Sequence, residues 1–235
     1  MIPRVYLQFD ELQNEIVIEG DDAHYLTNVL RKKENDQIVA FNETMGEHVC
    51  IIQGIKKNKI YLLLSSKLRQ PILPKPLQLI FSILKNDTMS WVFEKATELG
   101  VTDFFPIHSD YSQKQPFKKD KWQKVIKNAT QQCERFDIPK IHDISHFNDI
   151  LSFHQESMLF VALERQKEKE ENNLKNIAHK NKVKALIVGP EGGWSPSERS
   201  ILINSNAHLL NLGPYILRAE TAVIAALSLI SMDIN

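Results

Sequence analysis

Residues 184–198 read KALIVGPEGGWSPSE. An apolar run at 185–188 gives way to Gly189-Pro190-Glu191-Gly192-Gly193, and then to Ser195-Pro196-Ser197-Glu198. Serine at an N-cap, proline in the first helical slot and glutamate at the third make a capping box. The stretch therefore reads as strand, glycine loop, helix. Three of the chain's eight glycines fall within five positions here. Such a loop either only turns the corner or lets main-chain atoms approach a ligand closely. GPEGG is neither GxGxxG nor a GK[ST] loop, so the dinucleotide and P-loop fingerprints both fail. Glu191 places negative charge where a phosphate would sit, which suits a ligand that is neutral or cationic at the loop.

Downstream, LNLGPYILRAETA (210–222) repeats the order of strand, Gly-Pro, irregular stretch and apolar helix. Two Gly-Pro loops, at 189–190 and 213–214, following successive strands of one parallel sheet would converge at its carboxyl end, where α/β sheets bind ligands. Together they would wall a pocket with backbone N–H and C=O groups, enough to read a flat heterocycle without a charged clamp. Arg218 and Glu220 stand at the mouth of the last helix, either as an ordinary surface ion pair or as groups of the site.

Upstream, strand and helix alternate from Leu77. LQLIFSIL is a strand, TMSWVFEKATEL a helix ended by Gly100, and VTDFFPI a strand. KDKWQKVIKNATQQCERF predicts an amphipathic helix with Trp122, Val125, Ala129, Cys133 and Phe136 on one stripe. MLFVAL, VKALIV and HLLNL read as further strands, with a charge run, RQKEKEENN, that reads as a solvated loop or helix. This alternation predicts an α/β domain with a mostly parallel sheet. The first seventy residues differ. IVIEG, QIVAFN, EHVCIIQGI and KIYLLLSS are short β-branched strands, broken by one helix, DDAHYLTNVLR, capped by Asp21 or Asp22 with Ala23, Leu26, Val29 and Leu30 at helical spacing. Succession of short strands suggests a small barrel. RQPILPKP, with three prolines at 71–76, marks the boundary, giving domains 1–72 and 73–235.

Composition narrows the class. Of 235 residues, 43% are apolar, and 29 basic residues balance 29 acidic ones, so no bulk positive charge advertises nucleic acid, although a local basic face is allowed. Two cysteines, Cys50 and Cys133, form neither a CxxC motif nor a disulfide framework, and a reducing cytosol is expected. The N-terminus lacks a signal-peptide core. The apolar run at 222–230 is about half the roughly 20 residues a membrane span needs. His142 and His146 at i,i+4 have no third ligand, and no metal is expected.

IVGPEGGWSPSE and LGPYILRAETA together resemble the paired cofactor motifs of the RsmE family, ribosomal RNA small-subunit methyltransferases within the SPOUT superfamily. The resemblance extends to KNDTMSWVFEKATELGV (85–101), NATQQCERFDIP (128–139) and HYLTNVLR (24–31), so it spans nearly the whole chain. It implies a PUA-like N-terminal RNA-binding barrel and a C-terminal α/β domain with a deep trefoil knot. It further implies a homodimer that methylates N3 of a uridine in 16S rRNA with S-adenosylmethionine, the assembled small subunit being the expected substrate. Cofactor contacts carry over to Leu163 and Glu164, to Gly189, Glu191 and Gly193, and to Leu212, Gly213, Ile216, Leu217 and Arg218. Arg218, then Arg135, are candidates to stabilise charge on the uracil; Glu94 or Glu220 would take its proton. Arg4, His24, Arg31, Lys85, Lys95 and Arg135 are candidates for RNA contact. One departure stands out: Tyr111 occupies a position where the family typically has arginine, and stacking on a base would hold RNA there instead. Rival readings are a SPOUT enzyme acting on transfer RNA or a ribose 2′-hydroxyl, and an RNA-binding module with a vestigial pocket.

Overall fold

A computed structural model describes residues 2–10, 15–154, 156–163 and 182–231. The charge run at 165–173 lies outside them. The chain divides into two compact units, Met1–Leu73 with Thr130–Ile138, and Pro74–Ala129 with Pro139–Asn235.

The first unit is a five-stranded sheet of β1 (Arg4–Tyr6), β2 (Glu15–Ile18), β3 (Gln37–Asn42), β4 (Gly46–Lys56) and β5 (Lys59–Arg69), in the order β1-β3-β4-β5-β2. Only β1 pairs in parallel, with β3. Lys57 and Asn58 join β4 to β5 with φ of 45° and 62°. Two left-handed residues in a two-residue loop give the turn whose twist suits a hairpin. Gly46 is obligatory, because a Cβ there would lie 2.2 Å from the Arg69 carbonyl. One buried cluster, including Val5, Ile18, Leu26, Ile38, Ile52 and Leu62, unites the strands.

The helix of this unit departs from expectation. α1 (Gly20–His24) starts from Glu19, which makes no side-chain cap, so neither Asp21 nor Asp22 is the N-cap. It runs into a π turn over Tyr25–Val29, in which the Leu30 amide donates to the Tyr25 carbonyl at 3.0 Å. The wider turn shifts the helical phase. Ala23 and Leu26 stay fully buried, whereas Val29 is 59% exposed.

A second correction concerns α3 (Lys119–Gln132), which stops before Cys133 rather than running through Phe136. Glu134 adopts φ of 62° and turns the chain away. The end of α3 and the residues after it have partners in the first unit. Arg4 donates to the Gln131 carbonyl at 2.8 Å, and Gln131 Oε1 accepts from the Tyr6 amide at 3.0 Å. Arg69 pairs with Glu134 at 2.9 Å and lies 5.5 Å over the Phe136 ring. Arg4 and Arg69 meet on buried Glu47. Burial pushes the Glu47 carboxyl pKa up, but hydrogen bonds from Arg69 and Arg4 outweigh it and hold it below the ordinary value. This contribution to stability is complete above the ordinary carboxylate pKa and is lost as pH falls through the lowered one.

The second unit contains β6 (Leu77–Ser82), α2 (Asn86–Glu98), β7 (Asp103–His108), α3, β8 (Lys140–Ile141), β9 (Ser145–His146), α4 (Phe147–Phe153), β10 (Met158–Ala162), β11 (Lys184–Val188), α5 (Pro196–Ile203), β12 (His208–Leu210) and α6 (Ala219–Ser231). The sheet order is β12-β10-β11-β6-β7-β8, with β9 also beside β7. Every pairing is parallel, so the α/β expectation holds. The central strands are buried along nearly their whole length, as a sheet covered on both faces demands. Phe93 of α2 and Trp122 of α3 are buried with Phe81 of β6 and Phe104 of β7; Phe93 stacks on Trp122 at 5.3 Å and leans on Phe104 at 4.8 Å. Among the described residues no helix is long and apolar enough to cross a membrane.

Candidate functional site

Register places the site. Ala162 of β10 pairs with Val188 of β11 on one side and with Leu210 of β12 on the other. Three parallel strands therefore end level, and the segments that leave them surround one cavity of about 1180 Å³. Its lining takes Ala162 and Leu163 from the end of β10, residues 189–194 after β11, and residues 211–218 after β12, with Lys85 and Thr88 at the start of α2. The two Gly-Pro loops converge as the sequence predicts.

The loop after β11 is braced at several points. The Gly193 amide donates to the Pro190 carbonyl at 2.9 Å, closing a tight turn with Gly193 at φ of 76°. The capping box is complete: the Ser195 amide donates to Glu198 Oε2 at 3.0 Å, and the Glu198 amide to Ser195 Oγ at 3.3 Å. Glu198 is buried, and its other oxygen accepts from the Asp110 amide at 2.9 Å. Glu191 accepts from the Lys85 amide at 3.1 Å and from Gln113 Nε2 at 3.2 Å. Its carboxylate thus ties the loop to two neighbouring segments while the residue lines the cavity, a use that its charge alone does not suggest.

The glycines have different reasons. A Cβ at Gly189 would lie 2.8 Å from the Trp194 ring, so packing excludes it. At Gly193 and Gly213 (φ 113°) a Cβ would meet no atom within 4 Å. Those two need glycine for the left-handed backbone, and open space lies in front of them. Apolar strand ends, two glycines facing open space and a volume somewhat above the roughly 300–1,000 Å³ usual for small-ligand sites suit a bent molecule with a flat heterocycle. S-adenosylmethionine is such a molecule, and this lining fits it.

Residues 71–231 match the model of the RNA methyltransferase domain, and residues 18–65 that of the RNA methyltransferase PUA domain. The chain is 33% identical to ribosomal RNA small subunit methyltransferase E of Rickettsia conorii, over 96% of this chain and 93% of that one. With the Bacillus subtilis protein of the same name it shares 30% identity, over 91% and 88%. The chain belongs to the ribosomal RNA small subunit methyltransferase E family. Among solved structures, the Neisseria gonorrhoeae member of this family, bound to S-adenosylmethionine, superposes with a TM-score of 0.82 at 25% identity, covering 99% of this chain and 98% of that one. A Legionella pneumophila protein solved with the same cofactor gives 0.89 at 25% identity and the same coverage.

Within this family member, the cavity gathers Leu163, Gly189, Glu191, Gly193, Leu212, Gly213, Ile216, Leu217 and Arg218, together with Glu220 and Lys85. Glu164 lies outside the described residues. Among the described residues Arg218 has no salt bridge, so the surface pair with Glu220 does not form. Glu94 is not in the lining; it pairs with Lys95 at 2.7 Å, and Lys95 also holds Glu98 at 2.9 Å. Arg135 belongs to the first unit, where two of its nitrogens donate to Asp137 at 3.0 and 2.6 Å. Arg4, a candidate for RNA contact, is instead committed to Glu47 and Gln131 inside its unit. His24 and Arg31 are exposed. Thr88, Trp194, Arg199 and Tyr215 also line the cavity and were not foreseen. For Tyr215 the signal was present, since it comes directly after the second Gly-Pro.

Proposed function

We propose that the chain transfers the methyl group of S-adenosylmethionine to N3 of a uridine in 16S rRNA. It would act in the cytoplasm, as a homodimer with the trefoil knot of its superfamily, on the assembled small subunit. The observation that carries this is the convergence of both Gly-Pro loops and the β10 end on one cavity, in a chain of this family.

When bound, the cofactor supplies a methyl group on a sulfonium, electrophilic without help from a metal. Uracil N3–H is only weakly acidic, so the chain has two tasks: to hold N3 in line with that methyl, and to favour loss of the proton. Arg218, in the cavity lining, would stabilise negative charge developing on the uracil oxygens, aided by the amino end of α6 that begins at the next residue. Glu220, in the first turn of α6 and in the same lining, is the acceptor we assign to the proton. Glu94, tied to Lys95, and Arg135, tied to Asp137, take second place in these roles.

For RNA contact, exposed His24 and Arg31 remain the candidates of the first unit, with Lys85 at the cavity. Arg31→Ala then raises KM for the subunit and leaves cofactor affinity unchanged. The dimer reading rests on α6, apolar nearly all round, and on exposed Trp91 of α2, the helix that packs against α6.

Incubating the purified chain with small subunits and labelled cofactor, with nucleoside mass spectrometry of the product, tests the reaction. 3-Methyluridine is expected. Label on transfer RNA or on a ribose 2′-oxygen would move the protein to another SPOUT activity, and cofactor binding without any transfer would make it a binding module.

A further inference from the structure

We propose that Tyr111 and Tyr215 form a subsite at the cavity for an unpaired pyrimidine base. The inference deepens the methyl-transfer reading and rests on it. Of the chain's five tyrosines, the second unit holds only these two. Both are well exposed, Tyr111 at 51% and Tyr215 at 83%, and both belong to the glycine loops or their immediate support. Tyr215 lines the cavity directly. Tyr111 packs on Gly192, another lining residue, closely enough that a Cβ on that glycine would lie 3.3 Å from the Tyr111 Cβ.

Neither phenol has a hydrogen-bond partner among the described residues. The Tyr215 ring, 83% exposed and without a hydrogen bond among the described residues, contributes little to folding. Exposed rings placed beside a ligand cavity are suited to a ligand face. The segment that carries Tyr111 is nevertheless fixed. Ser109 Oγ donates to Ser82 Oγ at 2.8 Å, the Asp110 amide is held by Glu198, and the Gln113 amide donates to the Ile83 carbonyl at 2.9 Å. Tyr111 is thus presented by a preorganised support, as a recognition group needs to be.

The chemistry of the target selects the ligand. N3 of a pyrimidine lies on its pairing edge, so a methyl can reach it only when the base is unpaired. An unpaired base presents its π faces, and aromatic side chains are the usual means of holding them. Stacking requires no charge. That suits a chain whose basic and acidic residues cancel, 29 against 29.

The test uses the full chain with Tyr111→Leu, Tyr215→Leu and the corresponding phenylalanine variants. Leucine keeps apolar bulk without a π face; phenylalanine keeps the ring without the hydroxyl. Each leucine variant is expected to raise KM for the small subunit by about 5- to 150-fold, the range measured for loss of one base stack. Each phenylalanine variant should remain within about twofold of wild type, and calorimetric affinity for S-adenosylmethionine should be unchanged in the Tyr111 variants, whose ring lies outside the cavity lining. Leucine variants with wild-type KM, or phenylalanine variants as impaired as leucine, would overturn the subsite. Loss of the dimer on sedimentation of Tyr215→Leu would also overturn it and assign that ring to contact between copies. Direct binding of a uridine-containing single-stranded RNA oligomer to the same variants keeps the two readings separable. Should the wild-type chain methylate another atom, the contrast between leucine and phenylalanine in oligomer binding still reports on the subsite.

Discussion

The two Gly-Pro loops begin alike and end differently. Each leaves the end of a parallel strand, places a left-handed glycine before open space and lines the same cavity. Yet the loop after β11 is held by Glu191, Ser195 and Glu198, which hydrogen-bond to the Lys85 and Asp110 amides, to the Gln113 side chain and to one another. In the loop after β12, the Gly213 amide bonds to Asn211 Oδ1 at 3.0 Å, while Tyr215 and Ile216 project into solvent. One wall is finished by the chain's own side chains. The other is left for ligands to finish. A pocket of this kind gains precision from the first wall and adaptability from the second.

The largest way to break that contrast is Gly193→Val. A β-branched side chain opposes the positive φ by about 1–2 kcal/mol and projects into the cavity, where no protein atom stands in its way. Cofactor affinity measured by calorimetry should fall at least about 100-fold (about 2.7 kcal/mol) in a chain that still folds. Unaltered affinity would reduce the loop to a corner. Glu191→Ala comes next. Loss of its two bonds should cost about 1–3 kcal/mol of thermal stability and weaken cofactor binding about tenfold, with Glu191→Gln falling between. Ser195→Ala removes a helix cap alone, worth about 1 kcal/mol, and should lower Tm by about 2–4 °C without changing cofactor affinity. At the far end stands Tyr215→Ala in the open loop. Its stability should stay within about 0.5 kcal/mol of wild type by denaturant titration, since the ring supports nothing in the fold. A larger loss would show that the second wall is also self-supporting.

Much of the molecule was legible in the sequence where the determinant is local. Ser195, Pro196 and Glu198 announce α5 within four residues, and the structure builds the capping box that they specify. The convergence of the loops came from strand-helix alternation, because parallel strands end on one side. What stayed hidden depended on distant partners. The π turn after His24 reverses the exposure of Val29 without any breaker residue in its stretch. The end of α3 is set by Glu134 and Phe136 finding Arg69, sixty-odd positions earlier, where periodicity has no reach. Arg4 looked like a free cation because nothing near it in sequence predicts Glu47. β8 and β9, two residues each, are too short for any pattern to report.

The stretch 130–138 has a bearing on how this molecule can be taken apart. It lies in the sequence of the catalytic unit but answers to the small sheet through Gln131, Glu134 and Phe136. A protease nick or gene truncation at the proline-rich junction yields no self-sufficient half: the small sheet forfeits part of its covering, and the larger piece keeps an internal stretch stripped of its anchors. Exchange of N-terminal modules between relatives meets the same obstacle. A grafted sheet has to bring its own match for those nine residues.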